Sequence, residues 1–241
     1  MKKPYFAENE IYHIFNRGVE KRKVFLNDKD YFRFIHYLYE FNDLEQSKNI
    51  HFYTKTKNGI ETKPGSLKNN KKPRNPLVEI LAFCLMPNHF HLLLRQKQNN
   101  GIVKFMQKLG TGYTMYFNKK LNRVGSLFQG RFKAVLIKKE AHFLYIPVYI
   151  HLNPLDLVTQ KDPETQLKFL ENYRWSSLPD YMGIKNFPSV INKDLILELT
   201  GGEIEYKKEI ETWVKNNQIS SFENIIKEYL INTAGKTNNL K

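Results

Sequence analysis

Two apolar runs, residues 77–86 and 90–95, are joined through Pro87-Asn88. Neither approaches membrane-spanning length, and a proline turn between them makes them read as consecutive strands of a buried sheet. The rest of the chain must cover that pair. Upstream, residues 10–17 alternate Ile11, His13 and Phe15 against Tyr12, Ile14 and Asn16, which predicts another strand. Asn27-Asp28-Lys29-Asp30 then supplies a helix cap, and Tyr31, Phe34, Ile35, Leu38 and Tyr39 recur at helical spacing, with an end near Phe41. Downstream, residues 101–122 form a long helix carrying Ile102, Phe105, Met106, Leu109, Tyr113, Tyr116 and Phe117. Gly125-Ser126 breaks it, residues 127–138 read as a strand, and residues 140–153 as a mainly apolar helix ended by Pro154. The order β-α-β-β-α-β-α predicts an α+β chain with a ferredoxin-like antiparallel sheet and helices on one side.

Two stretches stand outside this pattern. Residues 47–76 crowd Lys55, Lys57, Lys63, Lys68, Lys71, Lys72 and Arg74 among glycines and asparagines, which reads as a basic insertion. Beyond Pro188, helical patterns at 195–199, 206–214 and 222–230 suggest a small C-terminal helical extension. The expected division is a main domain over 1–185 and an extension over 186–241.

The formal net charge is +14, which favours polyanions because neutralised phosphates release counterions. Lysine-rich composition alone also gives such a charge, so it does not decide the matter. The single cysteine, Cys84, lies in an apolar run and rules out a disulfide framework or a cysteine-based zinc site. With no apolar leader at the N-terminus and no spanning run, a cytoplasmic, membrane-free protein is expected.

Three groups of residues carry chemistry. On a strand, His89 and His91 point the same way, and two imidazoles a strand repeat apart can grip one divalent ion from one side. Taken alone, such a pair is more often structural. Tyr149 and Asn153 are four residues apart and share a helix face. A tyrosine there could attack a phosphodiester while the asparagine carbonyl completes a metal site, although a phenol of ordinary pKa about 10 needs a nearby cation to ionise. His151 lies round the helix and is not a ligand candidate. Finally, alternation along residues 127–138 puts Arg131 and Lys133 on one face, and Arg17 ends the first strand; all three are candidates for holding a DNA backbone.

Together, His89-Phe-His91, Tyr149-Ile-His-Leu-Asn-Pro154, Tyr12-His-Ile-Phe-Asn-Arg-Gly18 and Asn172-Tyr-Arg-Trp-Ser-Ser177 resemble the IS200-like tyrosine transposases, and among them the REP-associated group. The similarity spans roughly residues 5–183. It implies an HUH endonuclease fold, dependence on Mg²⁺ or Mn²⁺, and cleavage of single-stranded DNA near hairpin or palindromic elements through a 5′-phosphotyrosine. By that resemblance His89 and His91 are the metal pair, Asn153 stands in for a helix-borne third ligand, and Tyr149 is the nucleophile. Gly130-Arg131-Phe132-Lys133 also fits the family pattern. Pro147, two residues before Tyr149, departs from an uninterrupted helix and predicts a kink or late start.

Three other readings compete. A domesticated, non-catalytic hairpin-binding protein keeps the fold without the reaction, but has no need of all four site residues. An RNA-binding ferredoxin-like module accounts for charge and aromatics but not for the histidine pair. A zinc hydrolase lacks a convincing third strong ligand. Monomer and homodimer are both compatible with the sequence.

Overall fold

The computed structural model describes residues 6–45, 53–56, 59–62, 74–138, 140–160 and 162–216. The main sheet has four strands: β1 (Ile11–Arg17), β4 (Val78–Met86), β5 (His89–Gln96) and β6 (Lys133–Leu136), in the order β4-β5-β1-β6. All neighbours are antiparallel. Helix α1 (Asp28–Glu40) links β1 to β4, and α2 (Gly101–Leu121) links β5 to β6. Each helical crossover therefore skips one strand position, the ferredoxin-like arrangement anticipated above.

Of the basic insertion, only an antiparallel pair, β2 (Tyr53–Thr56) with β3 (Gly59–Thr62), and residues from 74 onward are described. The lysines at 57, 63, 68, 71 and 72 lie outside the described residues, as does the helical pattern at 222–230.

Alternation along the strands sends side chains into two cores. Tyr12, Ile14, Phe90, Leu92 and Leu94 pack under α1 and α2 with Phe34, Leu38, Phe105, Leu109 and Tyr113. The opposite face, with Cys84, Met86, Leu93 and Val135, is covered by α3 (Glu140–Leu152). The single-sided helix layer expected from the sequence thus describes α1 and α2 only. A second layer exists because α3 is apolar nearly all round and needs burial on more than one side. Along β4 the pairing slips between Ile80 and Ala82. That bulge inserts Leu81 and resets the alternation, so Ile80 and Phe83 face α1 and α2 while Leu81 and Ala82 face α3.

Two polar devices join these layers. Asp30, fully buried, accepts from the backbone N–H of Leu26 (2.8 Å) and from Lys120 Nζ (2.6 Å) and Tyr116 Oη (2.7 Å) on α2. It caps α1 and ties it to α2 at once. On the edge of β4, Leu85 N–H donates to Trp175 O and Ser177 N–H to Phe83 O. The Asn172-Tyr-Arg-Trp-Ser-Ser177 segment therefore occupies the open sheet edge, which would otherwise offer unpaired backbone groups.

Helices α4 (Pro163–Asn172) and α5 (Leu178–Tyr181), unannounced in the sequence, lead to α6 (Asp194–Thr200) and α7 (Glu203–Lys215). Ile196, Tyr206, Ile210 and Val214 from α6 and α7 are buried in the same core as α3. His151 is the pin: its Nδ1 lies 2.7 Å from Tyr206 Oη and its Nε2 2.7 Å from Ser177 Oγ. It serves packing, consistent with its exclusion as a ligand. Among the described residues no helix is long and apolar enough to cross a membrane.

Candidate active site

The sheet face beneath α3 carries the odd-numbered positions of both central strands. Register sets Arg17 opposite His89, Phe15 opposite His91 and His13 opposite Leu93. Above them, Pro147 leaves α3 unbroken from Glu140 to Leu152, so the expected late start does not occur. A proline within a helix costs one backbone hydrogen bond, and the burial of Pro147 offsets it. The helix ends one residue earlier than expected, and Asn153 opens a short 3-10 turn, Asn153–Leu157. Pro154 enforces that change, because it has no N–H to continue the ladder.

Tyr149, His89, His91 and Asn153 meet at one place. The rings of His89 and His91 have centroids 5.0 Å apart, and the Tyr149 ring stands edge-on to His91 at 5.7 Å. Asn153 Nδ2 donates to Tyr149 O at 2.8 Å, and the Asn153 side chain also reaches His89. The polar contacts then decide what each atom can do. Asn88 Nδ2 donates to Lys21 O, so its Oδ1 is the atom 2.6 Å from His89 Nδ1 and accepts from it. His89 is thereby the Nδ1–H tautomer, with its Nε2 lone pair available. With its amide nitrogen committed to the helix, Asn153 turns its Oδ1 toward His89.

Burial pushes the His89 pKa down to about 4, with the Arg17 charge acting in the same direction and Asn153 opposing. It holds His91 well below its ordinary value too, helped by His13, His89 and Arg17. Both imidazoles are therefore neutral near pH 7, the state in which a ring nitrogen can bind a metal. Two imidazole nitrogens and an amide oxygen can hold a divalent ion from one side and leave positions open for a phosphate. The residues present fit the ion. Among the described residues no cluster of three His, Cys, Asp or Glu side chains forms a richer metal site.

Of the three candidate cations, Arg17 stands directly across from His89. Lys133 pairs with Phe15 on β6, with its Nζ 5.9 Å from the Phe15 ring. Arg131 does not share that strand. The predicted strand over 127–138 shrinks to Lys133–Leu136, because Gly130 adopts a positive φ of 78° and turns the chain. Arg131 sits exposed in the resulting bend, tethered to the site end of β1 through Asn16 Nδ2 donating to Gly130 O.

Two contributors went unread in the sequence. His13, 2 % exposed, has its Nε2 2.9 Å from His91 Nδ1, and Asn88 orients His89. His13 obeys the same alternation as Arg17, but cross-strand register, which sequence spacing does not reveal, is what brings it to His91.

Residues 56–153 match the family model described as "Transposase IS200 like". That stretch belongs to the IS200-like transposases. The IS200-like segment contains His89, His91, Tyr149 and Asn153, while β1 with His13 and Arg17 precedes it. The chain is also similar, at 11% identity and a TM-score of 0.49, to a solved structure described as "Structure of the REP associates tyrosine transposase bound to a REP hairpin". The similarity covers 80% of this chain and 90% of that one. No curated protein matches.

Proposed function

We propose that this IS200-like chain is a metal-dependent single-stranded DNA endonuclease and strand transferase, with Tyr149 as its nucleophile. The observation that carries the reading is the convergence of Tyr149 and Asn153, from α3 and its end, on His89 and His91 from β5. A buried structural pair of histidines would not need an aromatic hydroxyl residue and an amide side chain brought to it from a different layer.

In this scheme Tyr149 Oη attacks the scissile phosphorus, the bond to the 3′-oxygen breaks, and a 5′-phosphotyrosine and a free 3′-hydroxyl result. The ester conserves the energy of the broken bond, so a hydroxyl can later attack it and rejoin DNA. His89, His91 and Asn153 would hold Mg²⁺ or Mn²⁺, which polarises the phosphate and offsets charge on the leaving oxygen. Arg17, beside His89, and Lys133, beside Phe15, face the same region and would hold the DNA backbone, with Arg131 at the rim. The edge-on packing of Tyr149 against His91 limits the ring's freedom, which keeps the nucleophile near the attacked position. The preference for hairpin or palindromic elements rests on the four sequence motifs and their family resemblance.

Incubation of the purified protein with labelled hairpin-bearing single-stranded DNA and Mn²⁺ tests this. A covalent protein–DNA band that survives SDS and disappears in Tyr149→Phe is expected. Retarded bands on native gels, without that covalent band, identify a DNA-binding protein that does not cleave.

A further inference from the structure

The contact between His13 and His91 is unusual in being buried and made by two imidazoles. Their nitrogens are 2.9 Å apart, their ring centroids 5.1 Å, and their planes within 17° of each other. A centroid spacing equal to the N···N distance plus two ring radii means the rings meet edge to edge in a common plane. The contact is an N–H···N hydrogen bond, not a stack. Phe15, 5.1 Å from His13 and 5.8 Å from His91, and Tyr149, edge-on to both, wall the pair in.

A neutral imidazole has one donor and one acceptor nitrogen, so the bond runs one way or the other. If His13 donates, His91 carries its hydrogen on Nε2 and has no lone pair to offer there. If His91 donates through Nδ1, its Nε2 lone pair is free. The charges around the pair favour the second arrangement. Arg17 lies four residues along β1 from His13, across from His89 at the site end of the sheet, and His91 lies between. A positive charge on that side, felt at both His89 and His91, attracts the lone-pair end of each ring and repels an N–H, so both dipoles align with their acceptor nitrogens toward Arg17.

We propose that His13 is a positioning residue for His91: it accepts the hydrogen bond from His91 Nδ1–H and so presents the His91 Nε2 lone pair beside that of His89. Metal-binding histidines commonly donate their second N–H to a carboxylate or carbonyl that fixes the tautomer. Here a neutral imidazole does this in a buried position, where an unpaired carboxylate would be costly. Asn88 performs the same task for His89, so the two candidate ligands are set in the same tautomer from opposite ends. The metal-related part of this proposal rests on the function proposed above; the tautomer does not.

The test uses the full chain with ¹⁵N-labelled histidine, metal-free at neutral pH, and long-range ¹H–¹⁵N correlation NMR. His91 signals are identified by their loss in His91→Asn. Wild type and His13→Gln, whose amide oxygen reaches the same position, are expected to show His91 with hydrogen on Nδ1. His13→Leu is expected to lose that preference, and its Mn²⁺ affinity, followed by the free-ion EPR signal, to fall about 10- to 100-fold. Hydrogen on Nε2 in wild-type His91 overturns the proposal, and this reading needs no variant to fold. So does a folded His13→Leu protein that keeps both the tautomer and the Mn²⁺ affinity. A wild-type protein with the expected tautomer that binds no Mn²⁺ supports the role of His13 and overturns the metal site instead.

Discussion

At the scale of single residues, partner geometry separates look-alike side chains. The chain places His89, His91 and His151 within two short motifs, yet their second contacts give them different work. His151 spends both nitrogens on Tyr206 and Ser177, and burial lowers its pKa to about 3. Its consequence for stability follows from proton linkage. Above about pH 6.5 His151 is neutral folded or unfolded; below it the unfolded chain takes up a proton that the folded protein does not. Stability is therefore lost as pH falls from about 6.5 toward 3, and this one group accounts for about 2 kcal/mol between pH 7 and pH 5. Urea denaturation at those two pH values should show a smaller drop in His151→Gln than in the wild type. Arg17 is the residue whose effect is read on DNA. On the proposed phosphate contact, Arg17→Ala should reduce the slope of log affinity against log salt for single-stranded DNA by about 0.7. A slope unchanged in filter-binding titrations removes Arg17 from the DNA path.

At the scale of elements, the helices were readable where periodicity and caps agreed, and the strands where alternation was clean. The span of α1 follows from Asn27 to Asp30 and the aromatic face, and the structure adds that Asp30 also reaches α2. Breaking that link should be expensive, because Lys120 and Tyr116 lose their partner while the α1 terminus loses its cap. Asp30→Ala is expected to cost about 3 kcal/mol or more in equilibrium unfolding. A loss below about 1 kcal/mol would mean the network is solvated in solution. β6 was overextended in the sequence because Phe128, Phe132 and Val135 look strand-like, while the positive φ at Gly130 that ends the extension is a backbone property. The bulge at Leu81 was hidden for a related reason: in a strand buried on both faces, an inserted residue leaves no break in the apolar pattern.

At the scale of the whole molecule, the second core decides how much of the chain the candidate-site helix α3 depends on. α3 lies between the sheet and α6–α7, and His151 bonds across to Tyr206 two residues after the nucleophile candidate. Burial of Ile196, Tyr206, Ile210 and Val214 contributes roughly 6–12 kcal/mol, comparable with the net stability of a domain. A chain ended at residue 185 should therefore fail to give a cooperative thermal transition and should bind a hydrophobic dye. A cooperative melt within a few degrees of the full chain would show that the last helices are dispensable for folding.

The amino-acid sequence alone determined the α+β class, the helical crossovers, the strand that carries His89 and His91 on one face, and the four-residue spacing of Tyr149 and Asn153. These are local quantities, since periodicity, capping and alternation act over one element. Only the tertiary structure decided which elements face one another. Strand register brought His13 to His91, a glycine turn took Arg131 off the strand of Lys133, and α6 and α7 closed over α3. Such outcomes depend on pairing and burial between residues far apart in the chain, for which no short-range pattern carries the information.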